Sequence, residues 1–191
     1  MKALILDGSK EGDAILKATH NIVREKLTNI GWVVNSFVLR DTKIAPCMGC
    51  FDCWLKTPGV CTINDAGRDT TKMAAQSDLL IFLTPVTFGG YSSELKKAVD
   101  RMPPVLVPVF IKANGEVHHK VRFDKRPSLV AFGLLNNKNR EYENIFRNLV
   151  HRNASNFYNP CNVSEFLLSN ETIEKIKIKV VNVLSKFGAV K

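Results

Sequence analysis

The apolar run at residues 79–83, Leu-Leu-Ile-Phe-Leu, constrains the fold of this chain more than any other feature. A strand that is apolar at every position has no side for water, which is typical of a parallel sheet covered by helices on both faces. Thr84-Pro85 is predicted to end the strand, because proline donates no hydrogen bond to a neighbouring strand. We therefore expect strands that alternate with helices.

The loop after this strand, residues 86–91, has the features of a ligand-binding turn. Gly89-Gly90 allows the backbone to approach a flat or bulky molecule closely. Ser92 or Ser93 is then predicted to cap a helix. Ligands of open parallel sheets bind where such loops leave the carboxyl ends of the strands. The alternative is an ordinary strand-to-helix turn in which the glycines only allow tight packing.

Composition narrows the class of protein. The 191 residues are 45% hydrophobic and 24% charged, which suits one globular domain over residues 1–191. No apolar stretch is long enough for a membrane span or a signal peptide, so we expect a cytoplasmic protein without membrane contact. The excess of 27 Lys and Arg over 18 Asp and Glu favours anionic ligands, or serves solubility alone. The basic residues lack interleaved aromatics, so no nucleic-acid partner is expected.

A second candidate site follows the first predicted strand, residues 2–6. The turn Asp7-Gly8-Ser9 leads into a predicted helix. Such a turn presents backbone N–H groups and the positive helix end to an anion, and Ser9 and Lys10 would add a hydroxyl and a charge. The alternative is a capped turn in which Asp13 serves its own helix.

Residues 40–64 form a connection long enough to indicate a function of its own. It holds four of the five cysteines, three of them in Cys-x2-Cys-x2-Cys spacing: Cys47, Cys50, Cys53 and Cys61. In a reducing compartment such crowding indicates metal or redox chemistry over disulfides. The tandem spacing suits an iron–sulfur cluster better than zinc. Zinc and unliganded thiols remain as alternatives, and Cys161 is predicted to be a buried thiol.

Residues 103–127 are predicted to be an insertion. An apolar arm and an alternating arm flank Asn114-Gly115, a strong turn signal, which predicts a β-hairpin that serves as a lid or a dimer contact. His118 and His119 lie on the second arm. Neighbouring residues of a strand face opposite ways, so the pair is not expected to bind one metal. Two partly exposed histidines are predicted, with a place near a bound cofactor as the alternative.

The remaining segments complete the predicted architecture. Further strands are predicted at 32–39, near the sheet edge, at 128–135 and at 162–168. Helices are predicted from the first turn to Gly31 and at 65–76, 93–101, 139–153 and 171–187, although 176–179 also fits strand alternation. Five strands that alternate with helices predict a three-layer α/β sandwich with a parallel sheet in the order 2-1-3-4-5.

Three blocks of sequence resemble the flavodoxin-like NAD(P)H-dependent FMN reductase family, and most closely its iron–sulfur flavoprotein branch. They are Leu6-Asp7-Gly8-Ser9, the cysteine block from Ile44 to Cys61, and Thr84 to Ser92 with Asp100-Arg101. The later strands fit the same fold. The resemblance implies a flavodoxin-like five-stranded sheet in which the hairpin is an addition.

The resemblance also implies bound FMN. The phosphate would contact the first loop through Ser9, Lys10, Gly12, Asp13 and Ala14. The isoalloxazine ring would lie against the backbone of Pro85, Val86, Thr87, Phe88, Gly89, Gly90 and Tyr91. Strands one and three flank the point where the strand order reverses, so both loops open into one crevice. Because the flavin supplies the redox chemistry, no catalytic side chain is assigned.

NAD(P)H as electron donor and a homodimer or higher homo-oligomer are implied in the same way. The iron–sulfur branch implies a [4Fe-4S] cluster on Cys47, Cys50, Cys53 and Cys61. Trp54 or Phe51 would contact the flavin of a partner subunit, unless both pack locally.

The first loop departs from the Gly-Ser-Pro-Arg and Gly-Asn-Thr pattern of the family. Here it has no threonine hydroxyl and carries two carboxylates, Glu11 and Asp13. These repel a phosphate dianion unless they turn outward.

Three functions are compatible with these residues. The first is an FMN-dependent oxidoreductase that passes electrons from NAD(P)H to a quinone, a flavin, a nitro or azo compound, or an iron–sulfur partner. The second is a flavin and iron–sulfur electron carrier without small-molecule turnover. The third is a non-enzymatic module whose cysteines bind zinc or sense oxidants.

Overall fold

The main sheet has the predicted strand order. The computed structural model describes residues 1–113 and 115–188. Seven strands are present: β1 (Lys2–Asp7), β2 (Val33–Val38), β3 (Leu79–Pro85), β4 (Leu106–Ala113), β5 (Glu116–Val121), β6 (Ser128–Leu135) and β7 (Asn162–Leu168). Five of them form a parallel sheet in the order β2-β1-β3-β6-β7, while β4 and β5 form a separate antiparallel hairpin. Counted without the hairpin, this is the order 2-1-3-4-5, with β2 at the edge.

The described residues form six α-helices, and all except the short second one cover the two faces of the sheet. They are α1 (Ala14–Asn29), α2 (Asp52–Leu55), α3 (Ala66–Gln76), α4 (Ser93–Asp100), α5 (Arg140–Asn156) and α6 (Ile173–Ser185). Helices α1 and α6 pack on one face and contribute to one apolar core. Helices α3, α4 and α5 contribute to a second core on the other face. The three-layer sandwich is therefore confirmed.

The run at 79–83 is buried from both sides, as its pattern predicts. Leu79, Ile81 and Leu83 belong to the core under α1 and α6, whereas Leu80 and Phe82 belong to the opposite core. Full burial of each such side chain stabilises the fold by roughly 1.5–3 kcal/mol. β3 lies at the centre of the sheet between β1 and β6, so its carboxyl end positions the loop of interest.

Several predicted ends of helices and strands are confirmed. Ser92 caps α4, because its Oγ accepts a hydrogen bond from Leu95 N–H at 3.3 Å. Gly31 has φ +81° and follows the end of α1. β3 ends at Pro85, within the predicted stop Thr84-Pro85. Proline fits there because β1 has already ended at Asp7, beside Leu83.

The hairpin region and the last cysteine require further corrections. Asn114 of the predicted turn lies outside the described residues. His118 is buried rather than partly exposed, because β5 packs it against α5. Cys161 is exposed rather than buried, since it precedes β7 outside the packed strand.

Helix α2 was not predicted, and α5 extends three residues beyond its predicted end at residue 153. Within the described residues, no helix has the length and apolarity needed to cross a bilayer.

Candidate functional site

The loops that follow β1 and β3 are in direct contact. Gly8 N–H donates a hydrogen bond to Leu83 O at 2.7 Å, and Ser92 Oγ donates one to Gly8 O at 2.8 Å. A Cβ atom on Gly8 would lie 2.5 Å from Ser92 Oγ and 2.8 Å from Leu95 Cβ. Glycine is therefore required at residue 8 for this close approach, and the two loops open at one edge of the sheet.

Two carboxylates at the first loop, those of Asp7 and Asp13, accept hydrogen bonds from backbone N–H groups of the same loop. Ser9 N–H donates to Asp7 Oδ1 at 2.9 Å, and Lys10 N–H donates to Asp13 Oδ2 at 2.8 Å. Asp13 stands at the N-cap position of α1, but its side chain makes no capping hydrogen bond to the helix. Gly12 has φ +83° in open space. The loop is thus closed by internal anion–amide contacts.

Asp7 and His20 form a buried pair beneath this loop. His20 Nδ1 lies 2.7 Å from Asp7 Oδ2, and both side chains are almost fully covered. Burial opposes ionisation of Asp7, but hydrogen bonds from His20 and Ser9 outweigh it and lower the pKa of the carboxyl group. A negative charge therefore persists directly under the turn.

Arg40 adds a cation that sequence reasoning missed. It follows β2, and its Nη1 donates a hydrogen bond to Ser9 Oγ at 2.9 Å. A cavity of about 600 Å³ opens here, lined by Ser9, Lys10, Arg40, Glu94 and neighbouring residues. The available signal was its position at the carboxyl end of the strand beside β1.

The second loop contains a tight turn with an exposed aromatic side chain. Thr87 and Gly90 exchange backbone hydrogen bonds of 3.0 and 2.8 Å. The two residues between them have positive φ, +50° at Phe88 and +80° at Gly89, as in a type I′ turn. Phe88 is 84% exposed. A bulky residue with positive φ is uncommon and frequently marks a functional site.

Two other residues of this loop are committed to the core. A Cβ on Gly89 would lie 2.6 Å from Ile145 Cγ2 of α5, so this glycine is needed for packing. Tyr91 is buried edge-on against Phe82 and Phe146. Burial raises the pKa of Tyr91 to about 12, opposed by a hydrogen bond from Asn153. The Tyr91 side chain is therefore unavailable to a ligand, and Thr87 and Phe88 are the exposed side chains of this loop.

The four candidate cysteines lie together but do not converge on one point. Cys47 and Cys50 are exposed, Cys53 and Cys61 are half-buried, and all four are free thiols. Burial raises the pKa of Cys53, as do the nearby thiols of Cys61, Cys47 and Cys50. Over residues 1–113 and 115–188, no three Cys, His, Asp or Glu side chains are arranged to bind a metal ion. The donor chemistry suits a cluster, but the arrangement is open.

A largely buried ion pair, which we call the Asp65–Arg101 clip, closes the base of the cysteine segment, residues 45–64. Arg101 donates to both oxygens of Asp65 at 2.9 and 3.0 Å. It also donates to Ala45 O at 2.8 Å and Ile63 O at 3.1 Å, on either side of the cysteines. Asp65 accepts in turn from Ala45 N–H and Gly67 N–H. The clip therefore joins the two ends of the segment to α4.

Each residue of the clip shifts the pKa of the other in the direction that favours its charged form. Burial opposes ionisation of Asp65, but hydrogen bonds from Arg101 and two backbone amides lower its pKa. Burial likewise opposes the charge of Arg101, while Asp65 and Cys61 raise its pKa. Arg101 Nε is buried without a hydrogen-bond partner. Sequence reasoning had noted Asp100-Arg101 only as part of a motif, because the partner Asp65 is distant in the chain.

An aromatic stack joins the cysteine segment to the hairpin. Trp54 lies 4.6 Å from His119, and His119 lies 4.3 Å from Phe110, measured between ring centres. Trp54 Nε1 also donates to Pro103 O at 2.9 Å, and Phe51 packs against Trp54. Both aromatic residues of the segment thus have local partners. His118 turns the other way, toward Glu116 and Asn156, as strand alternation predicts.

The family was identified by comparison with known proteins. The sequence profile of the family described as NADPH-dependent FMN reductase matches residues 1–130. An iron–sulfur flavoprotein of Methanocaldococcus jannaschii is 35% identical over 112 residues, which are 56% of this chain and 54% of that protein. The chain thus matches only about half the length of that relative.

Solved structures share the fold across nearly the whole chain. An NAD(P)H:quinone oxidoreductase from Methanothermobacter marburgensis superposes with a TM-score of 0.69 at 11% identity, covering 94% of this chain and 93% of the other. An FMN-dependent NADH-azoreductase from Bacillus anthracis, in complex with FMN, gives 0.68 at 10% identity, covering 98% and 99%. Such low identity supports the fold alone. The profile match covers more than half of the sequence, and the chain therefore belongs to the NADPH-dependent FMN reductase family.

Proposed function

We propose that this protein is an FMN-dependent oxidoreductase that takes electrons from NAD(P)H. The proposal rests chiefly on the contact between the loops after β1 and β3, in a chain that belongs to a flavin reductase family. This edge of a parallel sheet is where such folds bind nucleotide-like ligands. The bound flavin would supply the electron-transfer chemistry, while the protein positions it.

We place the flavin phosphate at the first loop. Ser9, Lys10, Gly12, Asp13 and Ala14 surround the start of α1, where backbone N–H groups and the helix dipole favour an anion. Arg40 joins this set because its guanidinium already contacts Ser9 Oγ. The carboxylates of the loop oppose the phosphate, and their effect is taken up in the next subsection.

We place the isoalloxazine ring against residues 85–91, where backbone atoms and the exposed side chains of Thr87 and Phe88 are available. Phe88→Ala should weaken flavin binding about fivefold or more, because base-like rings stacked on aromatic side chains contribute roughly 1–3 kcal/mol. Ile178→Ala on α6 is the matched control, since it also truncates an exposed apolar side chain. Equal flavin affinity in both variants would contradict the ring placement. Gly89→Val is unsuitable for this test, because it would collide with Ile145.

We propose that Cys47, Cys50, Cys53 and Cys61 hold a [4Fe-4S] cluster. The spacing, the mutual proximity of the thiols and the matched iron–sulfur flavoprotein support this assignment. Cys47 and Cys50 are exposed, so the segment has room to close around a cluster without disturbing the core. Zinc binding and redox sensing by free thiols are the competing roles of the same segment.

We also propose a homodimer or higher homo-oligomer. Phe110 and Val117 of the hairpin and Phe51, the residue before α2, are each more than half exposed, on segments joined by the aromatic stack. Exposed apolar side chains gathered on one structural unit are typical of protein interfaces. Light scattering on the purified protein measures the oligomeric state, and a monomer at micromolar concentration would contradict this proposal.

Absorption spectroscopy and anaerobic reduction test the function as a whole. After FMN is added and the excess removed, we expect the absorption bands of bound flavin, which NADPH should bleach rapidly. Re-oxidation by a quinone, a nitro or azo compound or free flavin then identifies the acceptor class. Bound flavin that NADPH cannot reduce would favour an electron carrier. A colourless protein with one zinc per chain would contradict the oxidoreductase and favour a sensing module.

A further inference from the structure

The Asp13 carboxylate is bonded to a backbone amide of the first loop. Its Oδ2 accepts the Lys10 N–H at 2.8 Å, although its position at the start of α1 would allow it to cap the helix instead. The backbone of Asp13 still participates in the helix, because its carbonyl accepts Lys17 N–H at 3.0 Å. The side chain has therefore turned back from the helix toward the loop amides.

A carboxylate in this position competes with a phosphoryl group. The planar carboxylate and the tetrahedral phosphoryl group are both anions whose oxygens accept hydrogen bonds. A single N–H group cannot donate to both at full strength. Ser9 N–H is also occupied, by Asp7 Oδ1 at 2.9 Å. Two amides at the start of this loop are thus committed to carboxylates of the chain itself.

The charges around the loop do not favour a dianion. Lys10 and Arg40 supply positive charge, and Glu11, Asp41 and Glu94 line the same cavity with negative charge. Asp7 lies beneath the loop as a buried anion paired with His20. A phosphate that bonded to the Lys10 N–H would have to displace the Asp13 carboxylate and would remain near it, because Asp13 belongs to the same loop.

From this arrangement we infer that Asp13 is a specificity-determining residue, which lowers affinity for phosphorylated flavin but not for riboflavin. The inference rests on the proposed flavin-binding function and deepens it. The ring contacts of residues 85–91 are common to FMN and riboflavin, whereas only FMN carries the phosphate that meets Asp13. The ratio of the two affinities therefore isolates the role of this carboxylate.

The test is a titration of the full chain with FMN and with riboflavin, followed by flavin fluorescence. Asp13→Ala frees the Lys10 amide and removes the charge, so FMN affinity should rise about tenfold or more while riboflavin affinity stays within about twofold. Asp13→Asn keeps an acceptor for the amide but removes the charge, and should give an intermediate gain. Glu11→Gln removes one charge from the same loop without freeing an amide, and should change FMN affinity less than about threefold.

The possible outcomes distinguish a failure of the proposed role of Asp13 from a failure of the proposed flavin-binding function. If both flavins bind but Asp13→Ala leaves their affinity ratio unchanged, the role of Asp13 is overturned and the proposed function stands. If Glu11→Gln raises FMN affinity as much as Asp13→Ala, the net charge of the loop and not the occupied Lys10 amide determines FMN affinity. The inference is then also wrong. If neither flavin binds to any folded variant, the proposed function itself fails. Circular dichroism verifies that each variant is folded.

Discussion

The crevice between the first two loops and the cysteine segment differ in how the fold holds them. The crevice lies at the carboxyl ends of β1 and β3, and its loops bond directly to each other through Gly8, Leu83 and Ser92. The cysteine segment is held at its two ends by the Asp65–Arg101 clip and along its side by Trp54. Its first two cysteines face solvent. Sheet geometry assembles the crevice, whereas a few long-range contacts anchor the segment.

Removal of the clip should cause the largest loss of stability. The structural change should be confined to the cysteine segment. Arg101→Met removes the counter-charge of the largely covered Asp65 carboxylate, which keeps only two backbone N–H donors, so we expect a loss of about 3–5 kcal/mol in the free energy of unfolding. Urea denaturation measures this loss. Limited proteolysis should find new cleavage within residues 45–64 and none in the loops after β1 and β3.

Two control variants sharpen this result. Arg126→Met alters an exposed arginine and should stay within about 0.5 kcal/mol of the native protein. Asp65→Leu combined with Arg101→Met removes both charges and should recover part of the lost stability. If cleavage appeared first in the crevice loops, the contrast between the two regions would be wrong.

Gly8→Ala should strain the crevice by a smaller amount. The added Cβ meets Ser92 Oγ and Leu95 Cβ, and overpacking of this kind costs about 1–3 kcal/mol. Flavin affinity should fall as well, because the two loops would separate. Gly12→Ala is the comparison, since its Cβ meets open space and only its φ of +83° opposes the change, by roughly 1–2 kcal/mol. Thermal or urea unfolding that ranks Gly12→Ala as the more damaging would contradict the packing of the loops.

Acid titration compares one buried carboxylate from each region. The pKa values of Asp7 and Asp65 are lowered in the folded state, so both contribute stability above their unfolded pKa of about 4. This contribution is lost as the pH falls through the folded values. Asp7→Asn and Asp65→Asn should each flatten the fall in stability below about pH 4. Asp69→Asn, at an exposed position, is the control and should lose stability in acid as steeply as the native protein. An equally steep loss in Asp7→Asn or Asp65→Asn would refute the role of that carboxylate.

Cys50→Ser should have the smallest effect on stability and a complete effect on iron. Cys50 is exposed, so its replacement should change the free energy of unfolding by less than about 0.5 kcal/mol. After anaerobic reconstitution, we expect the variant to lose the cluster and Cys161→Ser, outside the segment, to retain it. Iron at native stoichiometry in Cys50→Ser would refute the ligand assignment.

Local sequence patterns were sufficient for most of the fold. The run at 79–83 predicted a strand buried on both faces, and Ser92 predicted a helix start, because burial pattern and capping depend on neighbours in sequence. The same reasoning was wrong at His118 and Cys161. Exposure at these positions depends on what packs over them, namely α5 over the hairpin and nothing over the residue before β7.

The sequence by itself determined the strand order, the two loops that meet and the cysteine spacing, because periodicity and turn chemistry are local and parallel topology restricts the rest. The tertiary structure alone decided which charges face those loops. Arg40 reaches Ser9 across 31 residues and Arg101 reaches Asp65 across 36. The turn of Asp13 onto Lys10 also emerged only from coordinates, since a carboxylate at a helix start can cap the helix or close the loop. Contacts of charged side chains between distant segments depend on the assembled fold, and no local pattern specifies them.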